Sequence, residues 1–178
     1  MTESDHHCKQ LGVLGGTFDP PHLGHLALAE LSLEQLGLDR VLFVPVGQPP
    51  HRPEQALSEP LHRAAMVSLA IADRTGLFLS RADLDRSGPH YTADLLGILR
   101  QAHPSAGLVF LMGGDSLAQF LTWREPGRIV DQACLAVLGR PGWQADLQEL
   151  ERQVPGSRER VVCLQGPVSD VSATEVRR

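Results

Sequence analysis

Short apolar runs alternate with longer amphipathic segments along most of the chain. Val41-Leu42-Phe43-Val44 and Leu108-Val109-Phe110-Leu111 are examples of continuous apolar runs, which are typical of parallel strands buried on both faces. The pattern predicts six strands, at residues 10–15, 40–46, 77–80, 107–112, 133–138 and 160–164. It predicts six helices, at residues 23–36, 58–73, 91–102, 114–121, 124–131 and 144–153.

This regular alternation predicts an α/β fold, a doubly wound, Rossmann-like parallel sheet with helices on both faces. From the length of 178 residues we expect one domain over 1–178, with residues 1–8 as a flexible tail. Ligands of such sheets bind beyond the carboxyl ends of the strands. The polar connection 47–57 follows the second strand and is therefore expected at the binding edge.

Composition and charge narrow the class of protein. Hydrophobic residues at 42% and charged residues at 21% are ordinary for a soluble globular protein. A net charge of -5 argues against a nucleic-acid partner, which requires a basic surface. The cysteines, Cys8, Cys134 and Cys163, lack the spacing of a disulfide framework or a zinc site. With no apolar run of signal or transmembrane length, we expect a cytoplasmic protein without a membrane partner.

The segment from Gly15 to His25, Gly-Gly-Thr-Phe-Asp-Pro-Pro-His-Leu-Gly-His, carries the strongest chemical signal. It joins the first strand to a helix that begins near Leu23, and a helix start offers unpaired N–H groups and a positive dipole end to an anion. His22 and His25 lie one turn apart and can face the same ligand. Neither a P-loop nor a dinucleotide fingerprint is present. The alternative is that the histidines cap the helix or are exposed.

This segment resembles the GTFDPxHxGH signature of the nucleotidyltransferase family, and the whole chain is similar to its nicotinate-mononucleotide adenylyltransferase branch. The resemblance implies that the backbone of Gly16, Thr17 and Phe18 approaches the nucleotides. It also implies that His22 and His25 bind the phosphates of ATP.

Two further segments of the first half are similar to that branch. Pro49-Pro50-His51-Arg52 resembles its PPH followed by Lys or Arg, which implies that Arg52 binds the phosphate of the mononucleotide and that His51 supports it. A polar surface loop is the alternative. The segment 62–71 resembles an RxxMxxLAI helix of the family. We interpret its Met66, Leu69 and Ala70 as core residues and assign no chemistry to it.

The segment 87–96 is similar to the branch's GxSYTxDTL, with His90 where Ser is usual and Leu95 where Thr is common. The resemblance implies that backbone N–H groups of Tyr91 and Thr92 bind the nicotinate carboxylate. A helix N-terminus suits such an anion. The alternative is that Thr92 simply caps a helix.

Gly-Gly-Asp ending at Asp115, followed by Trp123 and Ile129, resembles the family's GxD…W…I pattern. This implies that Asp115 binds a ribose hydroxyl of ATP and that Trp123 stacks on the pyridine ring. A helix cap and a core tryptophan are the alternatives. Arg140, in an Arg-Pro-Gly element similar to one of the branch, is implied to contact a phosphate.

The segment 168–177 resembles the family's ISSTxIR motif. This implies that Ser172, Thr174 and Arg177 hold the phosphates of ATP, with Ala173 in place of the second Ser. The branch usually continues through another helical segment beyond this motif. The sequence, which ends at Arg178, leaves open whether such a segment follows.

The resemblance implies a transfer of the adenylyl group of ATP to nicotinate mononucleotide, giving deamido-NAD and pyrophosphate in NAD biosynthesis. The acceptor phosphate is already ionised, so the expected catalytic residues, His22, His25 and Arg177, would align and neutralise anions. We expect Mg²⁺ to arrive with ATP rather than in a protein metal site. The sequence leaves open a homo-oligomer, nicotinamide mononucleotide or pantetheine phosphate as the acceptor, and a non-catalytic nucleotide-binding module.

Overall fold

The sheet is built from parallel strands in the order of a doubly wound fold. The computed structural model describes residues 10–49, 57–139 and 143–166. Within these ranges the strands are β1 (Gln10–Gly16), β2 (Arg40–Pro45), β3 (Leu77–Leu79), β4 (Gly107–Gly113), β5 (Cys134–Leu138) and β6 (Val161–Leu164). Their order is β3-β2-β1-β4-β5-β6, with every neighbouring pair parallel. Strand order reverses between β1 and β4, so a crevice opens there at the carboxyl ends.

Helices cover both faces of this sheet. They are α1 (Leu23–Leu36), α2 (Pro60–Ile71), α3 (Thr92–Ala102), α4 (Gly114–Ala118), α5 (Pro126–Gln132) and α6 (Leu147–Gln153). Side chains of β4 alternate between two cores: Phe110 packs with α3, α5 and α6, whereas Leu111 packs with α1 and α2. The predicted doubly wound α/β fold is confirmed. Among the helices that the structure describes, none has both the length and the hydropathy to cross a bilayer.

The predicted strands are confirmed to within one residue at each end, because strands buried on both faces are continuous apolar runs. The ends of the helices were predicted less accurately than those of the strands. The predicted helix 114–121 stops at Ala118 and is followed by a separate 3₁₀ turn, Phe120–Thr122. The predicted helix 144–153 begins only at Leu147, because the side chain of Asp146 accepts the N–H of Glu149 at 3.0 Å and caps it.

The interpretation of Met66, Leu69 and Ala70 as core residues was wrong. Leu69 is 79% exposed, and Met66 and Ala70 are half-buried. The buried side of α2 is formed by Arg63, Ala64, Val67 and Ile71. Apolar residues occupy more than one face of α2, so the sequence periodicity was compatible with either of two faces packing against the sheet. Packing against the sheet selected the stripe that includes a buried arginine.

Candidate active site

The connection between β1 and α1 is shaped by Phe18. This residue has a left-handed backbone, with φ of 51°, and its side chain is 2% exposed. Its ring packs against Phe43 at 5.5 Å and meets the ring of His25 edge-on at 4.9 Å. A non-glycine residue adopts such a backbone only where its surroundings hold it. The anchored ring therefore places the histidine of the following helix.

His22 and His25 form a fixed pair at the start of α1. The backbone N–H of His22, the N-cap residue, donates to Nδ1 of His25 at 3.2 Å. The two rings are stacked, with centroids 3.8 Å apart and an angle of 34°. Because Nδ1 of His25 accepts a hydrogen bond, its neutral ring carries the proton on Nε2. His25 therefore has an N–H donor available on a ring that is already oriented.

Both histidines are neutral at pH 7. Burial, with a smaller contribution from the neighbouring His22, lowers the pKa of His25 to about 3. Burial also lowers the pKa of His22. Nδ1 of His22 is buried and faces the backbone N–H of His25 in a capping-box arrangement, but it makes no hydrogen bond of good geometry within the described part of the chain. The Nε2–H of His25 is the donor that the pair offers, so the pair is suited to a ligand that brings hydrogen-bonding oxygens.

A cavity of about 540 Å³ opens at the carboxyl ends of β1, β2 and β4. Its lining includes five residues for which the sequence predicted a binding role, namely Gly16, Thr17, Tyr91, Thr92 and Trp123. They come from three separate segments of the chain, and the fold brings them together at the point where strand order reverses. The volume is in the range of small-molecule sites, roughly 300–1,000 Å³.

Two parts of the cavity wall differ in chemistry. Trp123 is half-buried and packs against Phe110 and Phe120, at centroid distances of 6.0 and 5.6 Å, while it borders the cavity. Helix α3 begins at the same cavity, and its N-cap residue is Tyr91. The alternative, in which Thr92 caps the helix, was therefore wrong, since Thr92 is the first helical residue. First-turn N–H groups have no carbonyl one turn earlier to bind, so this wall offers donors next to an aromatic ring.

Comparison with known proteins places the chain in a family. The chain matches the cytidylyltransferase-like family model over residues 13–178. A protein of Thermomicrobium roseum, named "Probable nicotinate-nucleotide adenylyltransferase", is 46% identical over 170 residues, covering 96% of this chain and 79% of that protein. A protein of the same name from Roseiflexus sp. (strain RS-1) is 41% identical, covering 94% and 84%. The chain belongs to the nicotinate-nucleotide adenylyltransferases of the cytidylyltransferase-like family.

Solved structures agree on the fold. Nicotinic acid mononucleotide adenylyltransferase of Plasmodium falciparum superposes with a TM-score of 0.75 at 22% identity, covering 95% of this chain and 82% of that chain. A putative nicotinate-nucleotide adenylyltransferase of Vibrio parahaemolyticus gives a TM-score of 0.64 at 21% identity, covering 95% and 84%. The family resemblance found in the sequence is confirmed, and the enzyme class is that of a nucleotidyltransferase.

Sequence analysis missed several residues that line the cavity of this nicotinate-nucleotide adenylyltransferase. Asp83 and His90 line the cavity and are both buried; Asp83 pairs with Arg86 at 2.6 Å, and its Oδ2 lies 3.5 Å from Nδ1 of His90. Arg124 also lines the cavity, with its guanidinium 4.8 Å from the centre of the Tyr91 ring. Their only signals were proximity in sequence to Tyr91 and Trp123 and the departure from Ser at position 90.

The remaining predicted residues are distributed around the cavity or lie outside the described ranges. His22 and His25 stand at the start of α1, beyond Thr17, and Asp115 is in the first turn of α4, directly after β4. Phe18 contributes a buried side chain, and its backbone role stays a prediction. The following lie outside the described residues: His51, Arg52, Arg140, Ser172, Thr174 and Arg177. Across 10–49, 57–139 and 143–166, no group of three or more His, Cys, Asp or Glu residues is arranged to hold a metal ion.

The low pKa of His25 predicts a specific pH dependence of stability. The unfolded chain protonates this histidine near its ordinary pKa of 6.5, whereas the folded protein does so only near about 3. Protons therefore favour the unfolded state as pH falls below 6.5, so this contribution to stability is complete above pH 6.5 and is lost between pH 6.5 and about 3. At pH 5 the loss is about 2 kcal/mol relative to neutral pH.

Urea unfolding of the wild type and of His25→Gln at pH 7.5 and pH 5 measures this contribution. The free energy of unfolding of the wild type should fall by the larger amount, with a difference of about 2 kcal/mol between the two proteins. Equal falls would mean that His25 is protonated alike in both states.

Proposed function

We propose that the protein transfers the adenylyl group of ATP to nicotinate mononucleotide, forming deamido-NAD and releasing pyrophosphate. The observation that carries this proposal is the cavity at the β1–β4 reversal, which joins an aromatic wall and a helix start to the segment leading into His22 and His25. The two Plasmodium falciparum structures are, by their titles, "complexed with NaAD" and "complexed with APC". Those ligands support a dinucleotide product and a nucleotide substrate here.

The acceptor occupies the cavity in this proposal. The pyridine ring stacks on Trp123, and the carboxylate accepts hydrogen bonds from the backbone N–H groups of Tyr91 and Thr92. A carboxylate is favoured there by the positive end of the 11-residue helix α3. The phosphate of the mononucleotide is then assigned to Arg52 and His51, as the family resemblance implies.

ATP is assigned to the β1–α1 connection and the segments near it. Gly16, Thr17 and Phe18 supply backbone, and the neutral rings of His22 and His25 donate N–H groups to the phosphates. Asp115 binds a ribose hydroxyl. The family resemblance assigns further phosphate contacts to Arg140, Ser172, Thr174 and Arg177. Magnesium enters as part of the Mg·ATP substrate.

The chemistry needs alignment more than proton transfer. A phosphate oxygen of the mononucleotide attacks the α-phosphorus of ATP, the bond from that phosphorus to the bridging oxygen breaks, and pyrophosphate leaves with the bond's electron pair. The attacking phosphate is largely ionised at pH 7, with a second pKa near ~6, so no general base is required. His25 and Arg177 stabilise the negative charge that develops on the leaving phosphates.

We also propose that the protein is a single domain in the cytoplasm and that both of its substrates are soluble nucleotides.

Pyrophosphate release by the full chain tests the assignment. The assay supplies Mg·ATP with nicotinate mononucleotide, nicotinamide mononucleotide or phosphopantetheine. We expect kcat/KM to be about 100-fold higher for nicotinate mononucleotide than for either alternative, because a carboxamide turns an NH2 donor towards one of the two backbone N–H groups and phosphopantetheine offers no ring carboxylate, so that donors are left unpaired in the complex. A preference for another acceptor would overturn the substrate assignment. ATP binding without turnover on all three would instead identify a non-catalytic nucleotide-binding module.

A further inference from the structure

Arg63, in the first turn of α2, is a buried cation without an assigned role. It is 1% exposed, and a charge in the interior needs close partners. Its Nε donates to the carbonyl oxygen of Ser58 at 3.0 Å, its Nη1 to that of Thr17 at 2.8 Å, and its Nη2 to that of Gly47 at 2.9 Å. All three guanidinium nitrogens are therefore bound to backbone.

The three carbonyls belong to two different connections around the cavity. Thr17 lines the cavity and opens the β1–α1 connection, which leads to the histidine pair. Gly47 and Ser58 stand toward opposite ends of the β2–α2 connection, the segment that contains His51 and Arg52. One rigid, planar group thus spans two connections that are distant in sequence. The flat fork of arginine can reach three separated acceptors, which the point charge of lysine cannot.

A second contact joins the same two connections. Asp19 is 7% exposed, and its Oδ2 accepts the backbone N–H of Ser58 at 3.1 Å. Burial lowers the pKa of Arg63, and the negative charges of Asp19 and Glu59 oppose this shift. The cation is therefore compensated within the same cluster, and an arginine remains charged at neutral pH.

The backbone of Gly47 also packs against the wall of the cavity. A Cβ atom at this position would lie 2.5 Å from Cε1 of His90 and 2.9 Å from the carbonyl oxygen of Asp83. The backbone of Gly47 is therefore in close contact with two residues that line the cavity. A shift of the Gly47 carbonyl away from Arg63 would change this contact.

We propose that Arg63 is a positioning residue that holds Thr17 of the β1–α1 connection at a fixed separation from Gly47 and Ser58 of the β2–α2 connection, so that the two substrates meet in line. It acts through backbone carbonyls rather than by contact with a substrate. The proposal rests on the proposed function, in which ATP is bound by the first connection and the phosphate of the mononucleotide by the second. Transfer reactions are sensitive to such placement, since a displacement of about 1 Å can cost roughly 10²-fold in rate.

The test compares Arg63→Lys and Arg63→Met with the wild type. Lysine keeps the charge and the stem but loses the fork, and it provides a folded variant if Arg63→Met does not fold. We expect kcat to fall about 10-fold for the lysine variant and about 100-fold for the methionine variant, with each KM changing less than about threefold. Arg74→Met is the matched control, because Arg74 follows the same helix and pairs with Glu30 on the surface. It should leave kcat unchanged.

The possible outcomes distinguish a positioning role of Arg63 from a purely structural one, and both from a failure of the proposed function. All rates are measured well below the Tm of each variant and normalised to folded protein by circular dichroism. A lysine variant with a lower Tm and a wild-type kcat would overturn the proposal, because the arginine would then be only structural. A rise in a single KM with unchanged kcat would overturn it as well. If the wild type itself releases no pyrophosphate with any acceptor, the proposed function fails instead.

Discussion

His25→Ala is expected to lower kcat by about 10²–10³-fold, the usual effect of removing one preorganised donor to a developing charge. The ring of His25 is fixed before substrate arrives, by the hydrogen bond from the N–H of His22 to Nδ1 and by the stacked His22 ring. Its Nε2 proton is then available to phosphate oxygens as pyrophosphate departs. Because the leaving group gains charge in the transition state, kcat should fall more than the affinity for ATP.

Steady-state kinetics with circular dichroism and thermal melts measures this effect. His25→Gln is the informative partner variant, since its amide keeps an N–H donor and should recover part of the lost rate. His62→Ala serves as the control, because His62 is exposed on α2 and should leave kcat unchanged. A folded His25→Ala protein with a near-wild-type kcat would refute the phosphate role of this histidine.

Trp123→Ala is expected to raise the KM for nicotinate mononucleotide by roughly 10–100-fold, because stacking between an aromatic side chain and a flat heterocycle contributes about 1–3 kcal/mol. The KM for ATP should change less than about threefold, since ATP is assigned to the β1–α1 connection and the segments near it, and none of its contacts is assigned to Trp123. The variant also loses packing against Phe110 and Phe120. Its stability should therefore fall, and kinetics are best measured well below its Tm.

Trp123→Phe separates binding from packing, because it retains a flat ring at the cavity wall. We expect most of the affinity for the mononucleotide to return in this variant. Equal rises of both KM values in Trp123→Ala would assign the tryptophan to the core alone. Calorimetric titration of each nucleotide separately gives the same comparison free of turnover.

The strands, the fold class and the family were predictable from the sequence. The strands of a doubly wound sheet are continuous apolar runs, and their alternation with helices restricts the topology to few arrangements. The Gly15–His25 segment was interpreted as a phosphate site because strand, turn and helix start are adjacent in the chain; the structure confirms that adjacency, and the phosphate role stays a prediction. Helix ends were harder, because the start of α6 depends on one capping hydrogen bond, from Glu149 to Asp146.

The site itself was only partly accessible from the sequence. Tyr91, Thr92 and Trp123 were assigned through resemblance, and nothing local to them indicated that they share a cavity with Gly16. Asp83 and His90 were missed because their pairing, at 3.5 Å, depends on how the loop before α3 folds back on itself. Leu69 was misassigned because α2 carries apolar residues on more than one face, so nothing local shows which of them face the sheet.

The sequence by itself therefore determined the parallel sheet with helices on both faces, the family, and the place of His22 and His25 at the start of α1, since each is recognised from short apolar runs or short motifs in the chain. The tertiary structure alone decided which distant segments share the cavity. It also decided the role of Arg63, whose side chain gains its three acceptors only where Thr17, Gly47 and Ser58 converge. The physical reason is that the burial of a charge is a property of the packed fold, whereas an apolar run and a helix start are properties of a short segment.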